Sequence, residues 1–242
     1  MSGHSKWSSI KHQKGAADAK RGAIFSKLAK AISVAARHGV DPEVNFQLRI
    51  AIDQARSNNM PKDNIERAIE RAAGVGGAAL EEITSEAYGP GGTAFLIETA
   101  TDNRNRTIGE IRSVLNKYDG KLAETGGVAY LFKRRGQITV ETSDANAVEL
   151  AAIEAGAEDF ETDEGKVYIY TQPKELEAVR QKLSSAGYTD SQAGFEYHPT
   201  ASVPITDPKL AEKVVKLAGA LEDLDDVTAI HSNFAVADNL LE

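Results

Sequence analysis

The chain has 242 residues, no cysteine, 41% hydrophobic and 26% charged residues, and a formal net charge of −8. This balance excludes a disordered chain; the cysteine count excludes disulfides, thiolate catalysis and cysteine-ligated zinc; no apolar run approaches the length of a membrane span. The net charge conceals a segregation. Residues 1–75 carry 13 Lys and Arg against 7 Asp and Glu, a net of +6, while the rest carries 15 against 29, a net of −14.

In chain order, residues 1–15 are polar and basic, with Trp7 and Ile10 as large apolar anchors, and are expected to be irregular. No signal-peptide core follows Met1, and the segment reads as part of a folded cytoplasmic protein rather than a transit peptide. A helical period then runs from about Ala16 to His38, with Ile24, Phe25, Leu28, Ile32, Ala35 and Ala36 on one face and Lys20, Lys27, Lys30 and Arg37 roughly opposite. Gly39 is a stop signal, and Asp41-Pro42 is expected to cap and open a second helix with Val44, Leu48, Ala51, Ile52 and Ala55 inward. Asn58-Asn59 ends it. Pro61 opens a third helix, with Ile65, Ala68, Ile69 and Ala72 inside, closed by Gly74; Gly76-Gly77 reads as a linker.

Beyond the linker strands and helices alternate. Strands are predicted at 93–100, 126–133, 137–141, 159–162, 166–170, 192–198 and 227–234, and helices at 107–118, 145–155, 173–186 and 207–221. The stretch from 137 to 198 has the β-α-β-β-α-β order of a ferredoxin-like unit. The flanking pieces form a second such unit if a short strand lies near 121–123. The expected fold class is α+β in three domains: a basic helical domain at 1–78, a discontinuous α/β domain at 79–135 and 205–242, and a ferredoxin-like α/β domain at 136–204 inserted into it.

The chemistry-bearing signal is the arm itself. In the first forty residues eight Lys and Arg face only Asp18. Lysines and arginines that neutralise phosphates release counterions, and an aromatic ring among them can stack on a base or anchor the arm. The candidate nucleic-acid-binding residues are Lys6, Trp7, Lys11, His12, Lys14, Lys20, Arg21, Lys27 and Lys30, with packing the simpler role for Trp7. A second segment, Thr101 to Thr107, lies between a strand and a helix. Its Asn103, Arg104, Asn105 and Arg106 are candidates for an anion or partner contact, or for helix capping and ion pairs. Tyr88-Gly-Pro-Gly-Gly92 lacks the lysine of a phosphate-binding loop and reads as a tight turn or hinge. The acidic run Glu222 to Asp226 reads first as a helix-to-strand turn and second as a dock for a basic partner. None of the five histidines has metal-ligand spacing and no nucleophile-base pair is legible, so no cofactor, no metal and no enzymatic activity are expected.

These motifs together resemble the YebC/PmpR family from end to end. The resemblance rests on residues 1–12, on Asp18–Gly22, Asn59–Ile69, Tyr88–Gly92, Thr101–Thr107 and Leu221–Val227, in the family's order. Departures are small: Gln13, Lys14 and Ala23 where the family tends to carry more lysines, and Thr228 where its last strand begins near a glutamine. The resemblance implies three domains and a non-enzymatic, nucleic-acid-binding regulator of gene expression, a DNA-binding transcriptional regulator by family designation. The alternative it implies is a ribosome-associated translation factor acting on ribosomal RNA, since the family also includes a mitochondrial translational activator. No membrane partner is expected, and a monomer or weak oligomer is.

Overall fold

The computed structural model describes residues 18–72, 80–189 and 191–236, with side chains from residue 22 onward. The chain divides into two compact units, one of residues 1–132 with 199–242 and one of residues 133–198. No helix among the described residues is long and apolar enough to cross a membrane.

The first unit opens with three helices, α1 (Asp18–Ala36), α2 (Phe46–Ser57) and α3 (Lys62–Ala72). Ile32, Leu48, Ala55, Met60 and Ile65 close their core, and Ser33 Oγ in α1 donates to the Ala68 carbonyl of α3. Asp41 does not cap α2. Its carboxylate and carbonyl accept from the Glu43 and Asn45 amides in a tight turn, and the cap is Asn45. Asn45 Oδ1 accepts from the Leu48 amide at 3.1 Å, and its Nδ2 donates to the Ala35 and Gly39 carbonyls at 2.7 Å each. One buried side chain thereby starts α2 and satisfies the end of α1. The turn leaves Val44, expected inside, 82% exposed, and Ile24 on α1 also points outward.

The rest of this unit is a four-stranded antiparallel sheet of β1 (Glu81–Tyr88), β2 (Ala94–Thr101), β3 (Lys121–Leu122) and β9 (Val227–Ser232) in the order β3-β1-β2-β9. Helices α4 (Arg104–Lys117) and α7 (Pro208–Glu222) pack on it through Phe95, Ile111, Leu115, Val214, Leu217 and Leu221. Strands β8 (Val203–Ile205) and β10 (Phe234–Val236) pair in parallel beside this core. Helix α1 lies against β9 and β2. The short strand at 121–122 is present. Strand β1 falls where no strand was expected, and residues 126–131, expected to be extended, form a turn and a short 3-10 helix at Ala129–Leu131. The sheet order matches a ferredoxin-like layout, but the chain enters at the strand that such a unit places third.

The second unit runs from β4 (Phe132–Glu141) through α5 (Ala145–Ala155), β5 (Asp159–Asp163), β6 (Lys166–Thr171) and α6 (Leu176–Ser185) to β7 (Gln192–Pro199). Its sheet order, β5-β6-β4-β7, is the ferredoxin-like one. Ile138 and Val140 of β4 stand opposite Ile169 and Val167 of β6, and all four are buried with Val148, Leu176 and Leu183 from the helices. Strand β4 passes unbroken through Gly136, where two strands were expected.

Candidate nucleic-acid interface

The proposed binding residues fall into three groups. Lys6, Trp7, Lys11, His12 and Lys14 lie outside the described residues. Lys20 and Arg21 belong to the first turn of α1. Lys27 and Lys30 are placed one turn apart on α1, and both meet the acidic turn that joins α7 to β9. Lys27 Nζ donates to the Glu222 carbonyl. Lys30 Nζ donates to the Asp225 carbonyl at 2.9 Å and to Asp226 Oδ1 at 2.5 Å.

Asp226 is the centre of this arrangement. It is 4% exposed, so its charge must be compensated locally. Lys30 serves one carboxylate oxygen. The other receives Arg106 Nη2 at 2.7 Å, Thr107 Oγ1 at 2.6 Å and Thr101 Oγ1 at 3.0 Å. Burial pushes the Asp226 pKa up, but the hydrogen bonds from Arg106, Lys30, Thr107 and Thr101 outweigh it and hold the carboxyl well below the usual range. A carboxylate so saturated with donors is a poor proton acceptor, which suits a structural junction better than general-base catalysis.

The 101–107 segment is built around this junction. Asn103 caps α4, its Oδ1 accepting from the Arg106 amide at 3.1 Å. Thr101 and Thr107 are buried and their hydroxyls meet at 2.8 Å. Arg106 also pairs with Asp102 at 2.9 Å. Arg104 is exposed and pairs with Glu81 of β1 at 3.2 Å, and Asn105 is exposed on the same turn. The structure therefore brings Arg106 together with Lys30 across a shared aspartate and leaves Arg104 and Asn105 outside that network. Sequence reasoning does not single out Asp226 as the partner of either cation. The usable signal is the pairing of an acidic run with a basic helix face in one chain.

A second buried carboxylate shapes the neighbouring loop. Glu86 of β1 accepts from the backbone amides of Gly126 at 2.6 Å and of Val128 and Ala129 at 2.7 Å. Burial raises its pKa, the three amides lower it, and the net shift is downward. This carboxylate folds residues 126–129 back on β1, which is why they are not a strand. The Tyr88-to-Gly92 segment is a compact turn whose Gly91, at φ 73°, sits where a Cβ would meet Leu210 Cδ2 at 2.8 Å. Among the described residues no group of three or more His, Asp or Glu is placed to hold a metal.

Comparison with known proteins gives a consistent result. The family model for the TACO1/YebC N-terminal domain matches residues 5–75, and that for the TACO1/YebC second and third domain matches residues 80–234. A relative from Halothermothrix orenii, named "Probable transcriptional regulatory protein", is 49% identical over 100% of this chain and 98% of its own length. One from Dictyoglomus turgidum with the same name is 47% identical, covering 100% and 99%. The crystal structure of a conserved hypothetical protein from Aquifex aeolicus superposes with a TM-score of 0.88 at 45% identity, covering 96% of this chain and 98% of that one.

Proposed function

Because the chain belongs to the TACO1/YebC family, we propose that it is a non-enzymatic regulator of gene expression that binds nucleic acid in the cytoplasm through its basic N-terminal arm. The observation that carries this reading is the charge segregation: eight Lys and Arg against one Asp in the first forty residues of a chain whose net charge is −8. Such an arm gains affinity by releasing counterions, while the acidic body repels the polyanion and orients it. The names of the relatives favour DNA as the partner and transcription as the process. Lys6, Lys11, Lys14, Lys20 and Arg21 form the contact. Lys27 and Lys30 hold the acidic turn.

The test is an electrophoretic mobility shift with duplex DNA and, separately, with a ribosomal RNA fragment, which represents the translational alternative. Replacement of Lys6, Lys11, Lys14 and Lys20 by Ala should abolish the shift with the physiological partner. Unchanged affinity for both nucleic acids would remove the arm from consideration.

A further inference from the structure

We propose that the outer face of α5, with the edge strand β5 beside it, is a docking surface for the chain's own basic arm, residues 1–17. The docking stands by itself. Its consequence, that a docked arm is withheld from phosphates, rests on the reading that the arm binds nucleic acid.

Residues 141–165 carry nine Asp and Glu and no Lys, Arg or His. This is the inverse of the first forty residues. Among the described residues only Glu141 and Glu158 of the nine form ion pairs, with Lys166 at 3.0 Å and Lys133 at 3.5 Å. The run folds into α5 and β5, and β5 is an outer strand of its sheet. Helix α5 buries Val148, Ala152 and Ala155. Its opposite ridge carries Leu150 and Ile153, 64% and 58% exposed, three residues apart and so side by side. The helical period sets Glu149 on one flank of this pair and Glu154 on the other. Glu149 is on the β5 flank, where its carboxylate accepts from Thr162 Oγ1 at 2.7 Å.

An apolar pair ringed by carboxylates without cations suits a ligand that carries apolar side chains among lysines. The arm meets that description: Trp7 and Ile10, three residues apart, lie among Lys6, Lys11 and Lys14. Seventeen residues reach up to about 55 Å when extended. Other exposed apolar side chains suit the arm less. Ile24, 40% exposed, lies on α1 between Arg21 and Lys27, whose charge repels it, and Val40 and Val44 have only Asp41 and Glu43 between them, after Arg37 and His38. Carboxylates docked on the arm's lysines compete with phosphates for the same cations, so a polyanion must displace the acidic surface before it gains the arm.

Trp7 is the only tryptophan of the chain, so its emission in the unaltered full-length protein reports on the arm. At low salt it should be bluer, and less quenched by acrylamide, than in a peptide of residues 1–17, and added salt should remove most of the difference. Leu150→Ser with Ile153→Ser, both at exposed positions, should redden the emission toward that of the peptide. Glu149→Gln with Glu154→Gln should do the same and raise the acrylamide quenching constant about twofold, the effect of two weak surface ion pairs, with the thermal midpoint unmoved. Ile24→Ser should change neither reading. The Leu150→Ser, Ile153→Ser protein keeps the wild-type charge and should bind duplex DNA about twofold more tightly, because more of its arm is free. Misfolding does not mimic that gain.

Emission and quenching unchanged in both double variants would overturn the proposal. Reddening confined to Ile24→Ser would also overturn it, by placing Trp7 on the helical domain. Reddening of the wild-type protein on dilution would overturn it by giving the surface to the arm of a second copy. If both double variants release Trp7 but bind DNA and ribosomal RNA no more tightly than wild type, the docking stands and the nucleic-acid reading of the arm falls.

Discussion

Asp226→Ala leaves two cations and two buried hydroxyls without their acceptor. Breaking a buried ion pair from one side typically costs about 3 kcal/mol or more, because the partner charge stays behind uncompensated. Lys30, at 19% side-chain exposure, cannot fully recover its hydration, whereas Arg106, at 46%, recovers much of it. The expected loss is therefore about 3 kcal/mol, read from the urea midpoint, with Asp226→Asn milder because an amide oxygen still accepts. The same carboxylate makes stability depend on pH. Its folded pKa is depressed below the ordinary 3.8, so as pH falls the unfolded chain takes up the proton first. The stabilisation is whole above about pH 5 and is lost as pH drops through the folded value. Between pH 5 and pH 3 the wild-type urea midpoint should fall more steeply than that of Asp226→Asn. Parallel curves would show that Asp226 is not the group responsible.

At the level of elements, close approach explains the course of β4. A Cβ at Gly136 would lie 2.4 Å from Thr171 Oγ1 and 2.9 Å from Leu176 Cβ, so only glycine lets β6 and the start of α6 come this near. Gly136→Ala should destabilise the chain by about 1–3 kcal/mol, seen as a lower thermal midpoint. Asn45→Ala should cost about 1–2 kcal/mol through the missing cap, plus the two carbonyls it leaves without their Nδ2 donor. These two residues also mark what the sequence could and could not reveal. Helices whose apolar period faces a core, such as α4 through Ile111 and Leu115, were legible because the pattern is local. The whole ferredoxin-like order of the 133–198 unit was legible for the same reason. Gly136 reads as a strand end because a glycine inside a strand carries the same letter as one in a turn. Strand β1 is not legible because Glu81, Glu82, Ser85 and Glu86 give it no apolar alternation. It is a strand through pairing with β2 and β3, a non-local cause. Asp41 outranks Asn45 as a cap on the strength of the following proline, yet the choice is made by carbonyls of the preceding helix.

At the scale of the whole molecule, the charge segregation has two consequences that can be separated. Part of the basic face is used internally: Lys27 and Lys30 hold the acidic turn that leads into β9, joining α1 to residues nearly two hundred positions away. That junction was not legible, because its lysines carry the same sequence signature as phosphate contacts and only their distance to Asp226 distinguishes them. The remainder, from Lys6 to Arg21, is the part assigned to nucleic acid. Lys27→Ala with Lys30→Ala should therefore lower the thermal midpoint by several degrees, the effect expected of about one to two kcal/mol in a chain of this size, and leave the salt slope of nucleic-acid binding almost unchanged. Lys6→Ala, Lys11→Ala and Lys14→Ala should do the reverse, flattening the slope by about 0.9 for each duplex phosphate left without its lysine, with the melting curve unmoved. Paired melting and salt-titration measurements on the two variants decide the matter. If Lys27 and Lys30 instead governed the salt slope, the polyanion would have to displace the acidic turn. The variant lacking both lysines would then lose affinity and stability together.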